Sequence, residues 1–295
     1  MGDNGQGFTP QGEEMVFRIR PQQHRQDVHS SSLLSDYHLH SHFSPDAHYP
    51  IDQLCRQALE LGLRSIAVTD HIEWRLPGFG NPRPEAYFEE LYQARDRYRP
   101  LGLTVMSGLE VGNPHDYPRK FSSLLSLFPF DVVVASLHWL GEENIHHTSV
   151  FQGEQPQRIY RRYFQELGAL IRISDFDVLA HPDRIFWAGV QCGAPPDLVD
   201  LEPLIREAWA ALAAEGKILE LNTKYINRLI GWNELVRRLY RWYQEEGGVK
   251  VVINSDAHTP GEIGREFSTA RNILAAVGLE EIISLSPAVQ GAVFP

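Results

Sequence analysis

The sequence of 295 residues contains 13 histidines, and it is their placement that suggests chemistry. His38 and His40 are two apart in the run Asp36-Tyr37-His38-Leu39-His40, and Asp256 and His258 repeat that spacing in Ser255-Asp256-Ala257-His258. On an extended strand such residues share a face, so both side chains can reach one ion. A single H-x-H pair is also the pattern of an exposed strand edge; its recurrence near the other end of the chain is what favours a metal site. Thr69-Asp70-His71, Leu109-Glu110, Ser136-Leu137-His138 and Ala180-His181 add further imidazoles and carboxylates, each closing a short apolar run. Glu110 stands out, because a carboxylate ending an apolar strand must be met by a cation or a hydrogen-bond donor. A salt-bridged acid at a rim would satisfy the same requirement.

The elements that must position these residues are legible as β-branched runs alternating with amphipathic stretches, the pattern of a parallel sheet built from βα units. Seven strands are expected: Ser35–His40, Ser65–Thr69, Thr104–Leu109, Asp131–Ser136, Phe176–Ala180, Ile218–Asn222 and Val249–Asn254. Helices are expected to begin near Ile51, Pro84, Pro118, Pro156, Asp197, Asn233 and Glu262, several with Pro or Asp at the start. Gly62, Gly102, Gly216 and Gly247 sit where such helices should stop. No glycine-rich phosphate fingerprint follows the first strand, so seven repeats in one run point to an α/β, TIM-like barrel rather than two dinucleotide-binding halves. In a parallel barrel the C-terminal strand ends meet at one rim, and six of the seven strands deliver a candidate ligand there. Residues 1–34, rich in Gly, Gln and Ser without a sustained period, read as a flexible leader, and 35–295 as a single barrel domain.

Composition narrows the function. Hydrophobic residues make up 43% and charged residues 22%, which suits a folded globular chain, and the formal net charge of −11 sets the surface against nucleic acid and anionic membranes. No run of apolar residues is long enough to span a bilayer, and the first residues lack a signal-peptide pattern. With only Cys55 and Cys192, no disulfide framework is available, and a cytoplasmic location is expected. Cys55 reads as core and Cys192 as loop. The other histidines, His24, His29, His42, His48, His115, His146 and His147, lie in the leader or in polar loops and read as solvated or hydrogen-bonding residues. His42 is the exception to watch, since it continues the row of His38 and His40.

The segments DYHLHSHFSPDA, AVTDH, GLE, ASLH, LAHPD and INSDAH, in that order, resemble the PHP (polymerase and histidinol phosphatase) family over about residues 35–270. The stretches SLHWLGEENIH and LELNT make the likeness greatest to the histidinol-phosphatase branch. The resemblance implies a distorted (β/α)7 barrel around two to three divalent transition metal ions: one held by His38, His40, Glu110 and Asp256, a second by Glu110 as bridge with His138 and His181, a third by Asp46, His71 and His258. Asp46 enters only through the resemblance. Mixed histidine and carboxylate ligation suits Zn, Mn or Fe better than Mg. The branch also carries basic residues after the fifth and sixth strands. Here Arg184, Lys224 and Arg228 stand near those positions without matching the offsets cleanly, and Arg184 and Arg228 offer the two-pronged donor that suits phosphate.

Such a rim would be a positive focus on an acidic molecule, and paired ions can brace the oxygens of an in-line phosphoryl displacement. The expected activity is hydrolysis of a small phosphate monoester, with L-histidinol phosphate as the single best substrate and a role in histidine biosynthesis. Glu110, Asp256 and His258 are the residues expected to serve the reaction, and the proton donor to the leaving group is left open between Asp256 and a water. Three other readings compete. A nuclease or nucleotide phosphoesterase is disfavoured by the charge and by the lack of a basic, aromatic-lined groove. An amidohydrolase would call for eight strands and a bridging lysine. In a non-catalytic metal protein, some of the ligands would be expected to have been lost.

Overall fold

A computed structural model describes residues 18–19, 35–76, 84–282 and 284–285. Seven parallel strands form the central sheet: β1 (Ser35–Leu39), β2 (Ser65–Ile72), β3 (Thr104–Gly112), β4 (Val132–Ser136), β5 (Val178–Leu179), β6 (Ile218–Asn222) and β7 (Val251–Asn254). Each pairs with its sequence neighbour, so spatial order follows chain order. The helices between them are α1 (Ile51–Glu60), α2 (Pro84–Tyr98), α3 (Pro118–Leu127), α4 (Pro156–Ile173), α5 (Arg184–Gln191), α6 (Leu198–Ala214), α7 (Trp232–Glu245) and α8 (Phe267–Ala275). The result is a nearly closed barrel, as the βα pattern predicts.

Two helix expectations need correction. The helix expected near Glu262 is a 3-10 turn at Pro260–Glu262 followed by α8 from Phe267. Helix α5 has no counterpart in the sequence reading: its eight residues, RIFWAGVQ, are too few to stand out as a separate helix. Elsewhere the starts agree. Pro occupies the first turn of α3 and α4, where its missing N–H costs nothing, and the Asp197 side chain accepts from the N–H groups of Val199 and Asp200 at the head of α6. Gly62, Gly102, Gly216 and Gly247 all have positive φ, the left-handed conformation that ends a helix.

The barrel interior is small. Tyr37, Ala67, Met106, Val132, Val134, Val178, Ala180 and Val252 fill it, with Ile282 and Leu285 packed against its lower end. Larger apolar clusters lie outside, between the strands and the helices. The same inward parity that brings Ala67, Met106, Val134 and Val252 into the core carries His71, Glu110, His138 and Asp256 to the upper rim. In β1 the pairing register shifts between Asp36 and Leu39, an irregularity of the kind that re-aims side chains beside a site.

The first and last strands meet by a few bonds rather than by a full ladder. His40 N–H donates to the Ala257 carbonyl (2.9 Å), Tyr37 N–H to Asn254 Oδ1 (2.8 Å) and Ser255 N–H to Asp36 Oδ1 (3.0 Å). Arg18–Ile19, the only described part of the leader, pairs antiparallel with Leu229–Ile230. No helix among the described residues is long and apolar enough to cross a membrane.

Between β2 and β3 the wall is held by Tyr87 of α2, whose hydroxyl donates to the Val68 carbonyl (2.7 Å) and accepts from Gly108 N–H (2.8 Å). Gly108 leaves room for this approach, since a Cβ there would stand 2.6 Å from Thr69 Cγ2. Tyr87→Phe removes both bonds while keeping the ring. It should cost about 1–3 kcal/mol of stability, measured as a lower urea midpoint with an unchanged slope.

Candidate metal centre

Glu110 lies at the centre of the site. Strand pairing sets His71 directly beside it, and its side chain is 1% exposed. Each carboxylate oxygen faces a different set of imidazoles. Oε2 is 3.2 Å from His38 Nε2, 3.5 Å from His40 Nε2 and 2.9 Å from His71 Nδ1, while Oε1 is 3.2 Å from His138 Nε2 and 2.8 Å from His181 Nε2. Further out, Asp46 Oδ2 lies 3.5 Å from His71 Nε2 and 3.2 Å from His258 Nε2, in the more exposed part of the cluster. Asp256 is divided between two neighbourhoods. Its Oδ1 faces His40 Nε2 (3.3 Å) and His258 Nδ1 (3.5 Å), and its Oδ2 meets Arg184 Nη2 (2.5 Å), Lys224 Nζ (3.3 Å) and Asn222 Nδ2 (3.3 Å).

All nine ligand candidates from the sequence therefore occupy one cluster. His71 stands between the groupings that the resemblance keeps apart, with one ring nitrogen toward Glu110 and the other toward Asp46. The donor set fits divalent metal. His38 Nε2, His40 Nε2, His138 Nε2 and Glu110 Oε2 are buried and have no hydrogen-bond partner, a costly state for polar atoms unless an ion meets them. Three overlapping triads bring their ligand atoms within 4.8 Å of one another: His38, His40 and Glu110; His71, Glu110 and His138; His40, His71 and His258.

The charges within the cluster are tightly interdependent. Burial pushes the Glu110 carboxyl up, but the facing His38, His71 and His138 outweigh it and hold it well below the usual carboxylate range. Burial likewise pushes His71 and His138 down; Glu110 with Asp46 raises the first to about 10, and Glu73 with Glu110 raises the second to about 9. For His181 burial wins, aided by Arg184, and its value falls to about 4. Two of the candidate ligands also carry backbone strain. His181 (φ 25°) and Asp256 (φ 52°) occupy the left-handed region without being glycine, at a cost of about 1–3 kcal/mol each, which marks positions where aim outranks comfort.

Two carboxylates absent from the sequence reading orient the imidazoles. Glu220, fully buried on β6, takes His38 Nδ1 at 2.6 Å and accepts from His181 N–H (2.8 Å) and Asn254 Nδ2 (2.9 Å). Glu73 bonds His138 Nδ1 and accepts from Trp139 Nε1 (3.1 Å). Each fixes which ring nitrogen is left to point inward. The signal that found Glu110, an acid on an apolar strand, is present for Glu220 in Ile218–Asn222, and Glu73 continues the period-two row from His71. Gly112 makes room for Glu73, since a Cβ there would overlap the carboxylate.

Asp36 and Asp70 lie within β1 and β2, yet neither joins the cluster. Asp70 accepts from Ser41 N–H (2.7 Å), Ser41 Oγ and Ser44 Oγ (both 2.6 Å) and so shapes the loop after β1. Asp36 braces Ser255 and Gly264 across the seam. His42 turns outward to Glu90 Oε2 (2.7 Å), because β1 has ended and the row of alternation with it. His48 and His147 are exposed, His115 lies near Glu166 (3.4 Å), and His24 and His29 fall outside the described residues. Of the three basic candidates, Arg184 is buried at the start of α5 with its guanidinium over the Tyr225 ring (4.9 Å), Lys224 joins it on Asp256, and Arg228 is half-buried near Arg265. Arg265, unnoticed in the sequence, donates to the Ser255 carbonyl (2.7 Å).

Residues 36–224 match the PHP domain family, well over half of the chain. The chain belongs to the PHP family. Among curated relatives, the histidinol-phosphatase of Lactococcus lactis subsp. lactis is 25% identical over 267 residues, 85% of this chain and 94% of that protein. A protein of Deinococcus radiodurans named "Probable histidinol-phosphatase" is 27% identical over 265 residues, 83% of this chain and 94% of its own. The same barrel is found in the crystal structure of histidinol phosphate phosphatase from Lactococcus lactis complexed with zinc, L-histidinol and phosphate, with a TM-score of 0.76 at 22% identity over 84% of this chain and 95% of that one.

Two predictions follow from this geometry. Glu220→Gln should weaken metal binding about 10- to 100-fold in a chelator competition while the barrel stays folded, and Gly112→Ala should act in the same direction by displacing Glu73. Because His71 (about 10) and His138 (about 9) hold protons at neutral pH in the metal-free cluster and must be neutral to ligate, metal uptake should release protons. Apparent affinity should then fall as pH is lowered below about 9, as read by titration in weak buffer.

Proposed function

We propose that this PHP-family chain is a metal-dependent phosphomonoesterase acting on a small substrate, with L-histidinol phosphate as the preferred one. It would work in the cytoplasm as a single barrel domain, residues 35–295, preceded by a leader, and it would serve histidine biosynthesis. The observation that carries the reading is the division of Glu110 and Asp256. One carboxylate spreads its two oxygens over two groups of histidines, and the other turns one oxygen to histidines and the second to Arg184 and Lys224. An ion cluster and a cationic edge thus share a wall, an arrangement suited to a dianionic phosphate. The names of the relatives, matched over most of both chains, agree with this choice of substrate.

In this reading His38, His40, Glu110 and Asp256 hold one ion, Glu110, His138 and His181 a second, and Asp46, His71 and His258 a third, with Zn, Mn or Fe as the metals. Such ions supply Lewis-acid stabilisation of the phosphoryl oxygens and activate the attacking water. Glu110 would serve two of the sites, and Glu220 and Glu73 take the Nδ1 atoms of His38 and His138, so that their Nε2 atoms are the ones turned inward. Asp256 holds Arg184 in place while His258 and Asp46 close the outer edge. Arg184 Nε has no acceptor, which leaves one prong of its guanidinium for a phosphate oxygen, and Arg228 and Lys224 stand at the same side. The central carboxylate and the seven-stranded sheet set this site apart from an amidohydrolase built on eight strands and a bridging lysine.

The test is phosphate release from a panel of phosphomonoesters and phosphodiesters with Zn, Mn and Fe in turn. Monoester turnover that is lost on chelation and restored by metal is expected; turnover confined to diesters, or none with metal bound, would sink the reading. Glu110→Gln should lower the rate more than His258→Ala at saturating metal, since it serves two ions. Arg228→Ala should reduce kcat/KM about 10- to 100-fold without changing metal content, the loss expected for one charged hydrogen bond.

A further inference from the structure

His138 is followed by a short hairpin, and the histidine just beyond it, His146, has no part in the metal centre or the cationic edge. Trp139–Leu140 and Glu143–Asn144 pair antiparallel, and Asn113 clamps the base, accepting from the N–H groups of His138 (3.0 Å) and Trp139 (2.9 Å) and donating to the Trp139 carbonyl (2.9 Å). Arg75 reaches from beyond β2 to the Gly141 carbonyl at the tip. Ile145 is fully buried and its N–H donates to the His138 carbonyl (2.9 Å), so the chain is pinned immediately before His146. His146 is turned over the rim. Its ring stands edge-on to His138 at 5.0 Å and to His181 at 6.4 Å between centroids. The residue is exposed, and no group among the described residues takes its ring nitrogens.

The geometry points to His146 as the residue that meets the leaving group of the substrate, donating a ring N–H hydrogen bond to the ester oxygen as the P–O bond breaks. This rests on the phosphomonoesterase reading above. The floor of the site is closed by buried His38, Glu110 and Glu220, so a monoester must enter phosphate first, with its alcohol toward the mouth. At that mouth Asp46 and His258 are already bonded to each other (3.2 Å), and Arg184 and Lys224, which pair with Asp256, are assigned above to the phosphate rather than the leaving group. Among the described residues His146 alone combines a fixed backbone, a position above two candidate ligands and an uncommitted donor. The electron pair of the broken P–O bond goes to the alcohol oxygen, and its proton comes ultimately from the attacking water; the imidazole stabilises the charge as it develops.

The experiment compares the metal-loaded parent with His146→Phe, which keeps a ring against His138, and His146→Gln, which keeps an N–H donor. Each is assayed on L-histidinol phosphate, whose alkoxide leaves poorly, and on p-nitrophenyl phosphate, whose phenolate needs little help. His146→Phe should lose roughly 10- to 100-fold in kcat/KM on the first ester and less than about threefold on the second, with partial recovery in His146→Gln and unchanged metal content. Equal losses on both esters, no loss on either, or a loss explained by missing metal would overturn the assignment. A metal-loaded parent that releases phosphate from neither ester would overturn the proposed function and this inference together. An active parent with unselective variants would overturn this inference alone.

Discussion

A carboxylate withdrawn from water at the middle of a parallel sheet has to be answered by positive charge, and Glu110 imposes that condition on everything around it. In an interior of low polarizability the cost of an unanswered carboxylate is several kcal/mol, far more than one strand contact returns. Five imidazoles converge on its two oxygens, and they come from β1, the end of β2, and the segments just after β4 and β5. The barrel is what makes that convergence possible, because only a closed arrangement of parallel strands brings so many chain segments to one point.

Imidazoles gathered this closely must in turn be told which nitrogen to present. Glu220 does so for His38, Glu73 for His138 and Ser44 for His40 (3.2 Å), and each of these partners is itself held by further bonds. Asp256 belongs to the same scheme from the other direction, with one oxygen toward imidazoles and one toward Arg184, whose guanidinium lies over Tyr225, which stacks on Trp187 at 3.9 Å. The cationic edge and the metal cluster are therefore one hydrogen-bonded unit. A change to either side is felt by the other.

Much of this was legible beforehand because it follows from two short-range rules. Alternation along a strand announces which residues share a face, and repetition of βα units announces that distant strand ends meet; together these located every ligand candidate except Asp46, which lies in a loop where no periodicity operates. The same rules could have found Glu220 and Glu73, whose acids fall on inward positions of β6 and just beyond β2. Other features had no local signal. Helix α5 is too short to announce itself, so nothing in the sequence marks Arg184 as the buried head of a helix. His146 read as a solvated loop residue because its placement depends on Asn113, Arg75 and Ile145, contacts made across the fold and invisible in the neighbouring sequence.

The seam between β1 and β7 gives the site a second meaning. The strands that close the barrel are joined by few bonds, and the residues that meet there, Tyr37 and Asn254, are 217 apart along the chain. His38 and His40 stand on one lip of that seam and Asp256 and His258 on the other. In polymer terms, an ion gripped from both lips is a cross-link that closes a loop nearly as long as the domain. Such a link acts mostly by removing configurations from the open chain, and its effect grows only with the logarithm of loop length. A clasp at this position therefore draws almost the full entropic benefit a single tie can give. A barrel stripped of its ions would be expected to loosen first along one longitudinal line, opening like a cuff and leaving the remaining strands in register.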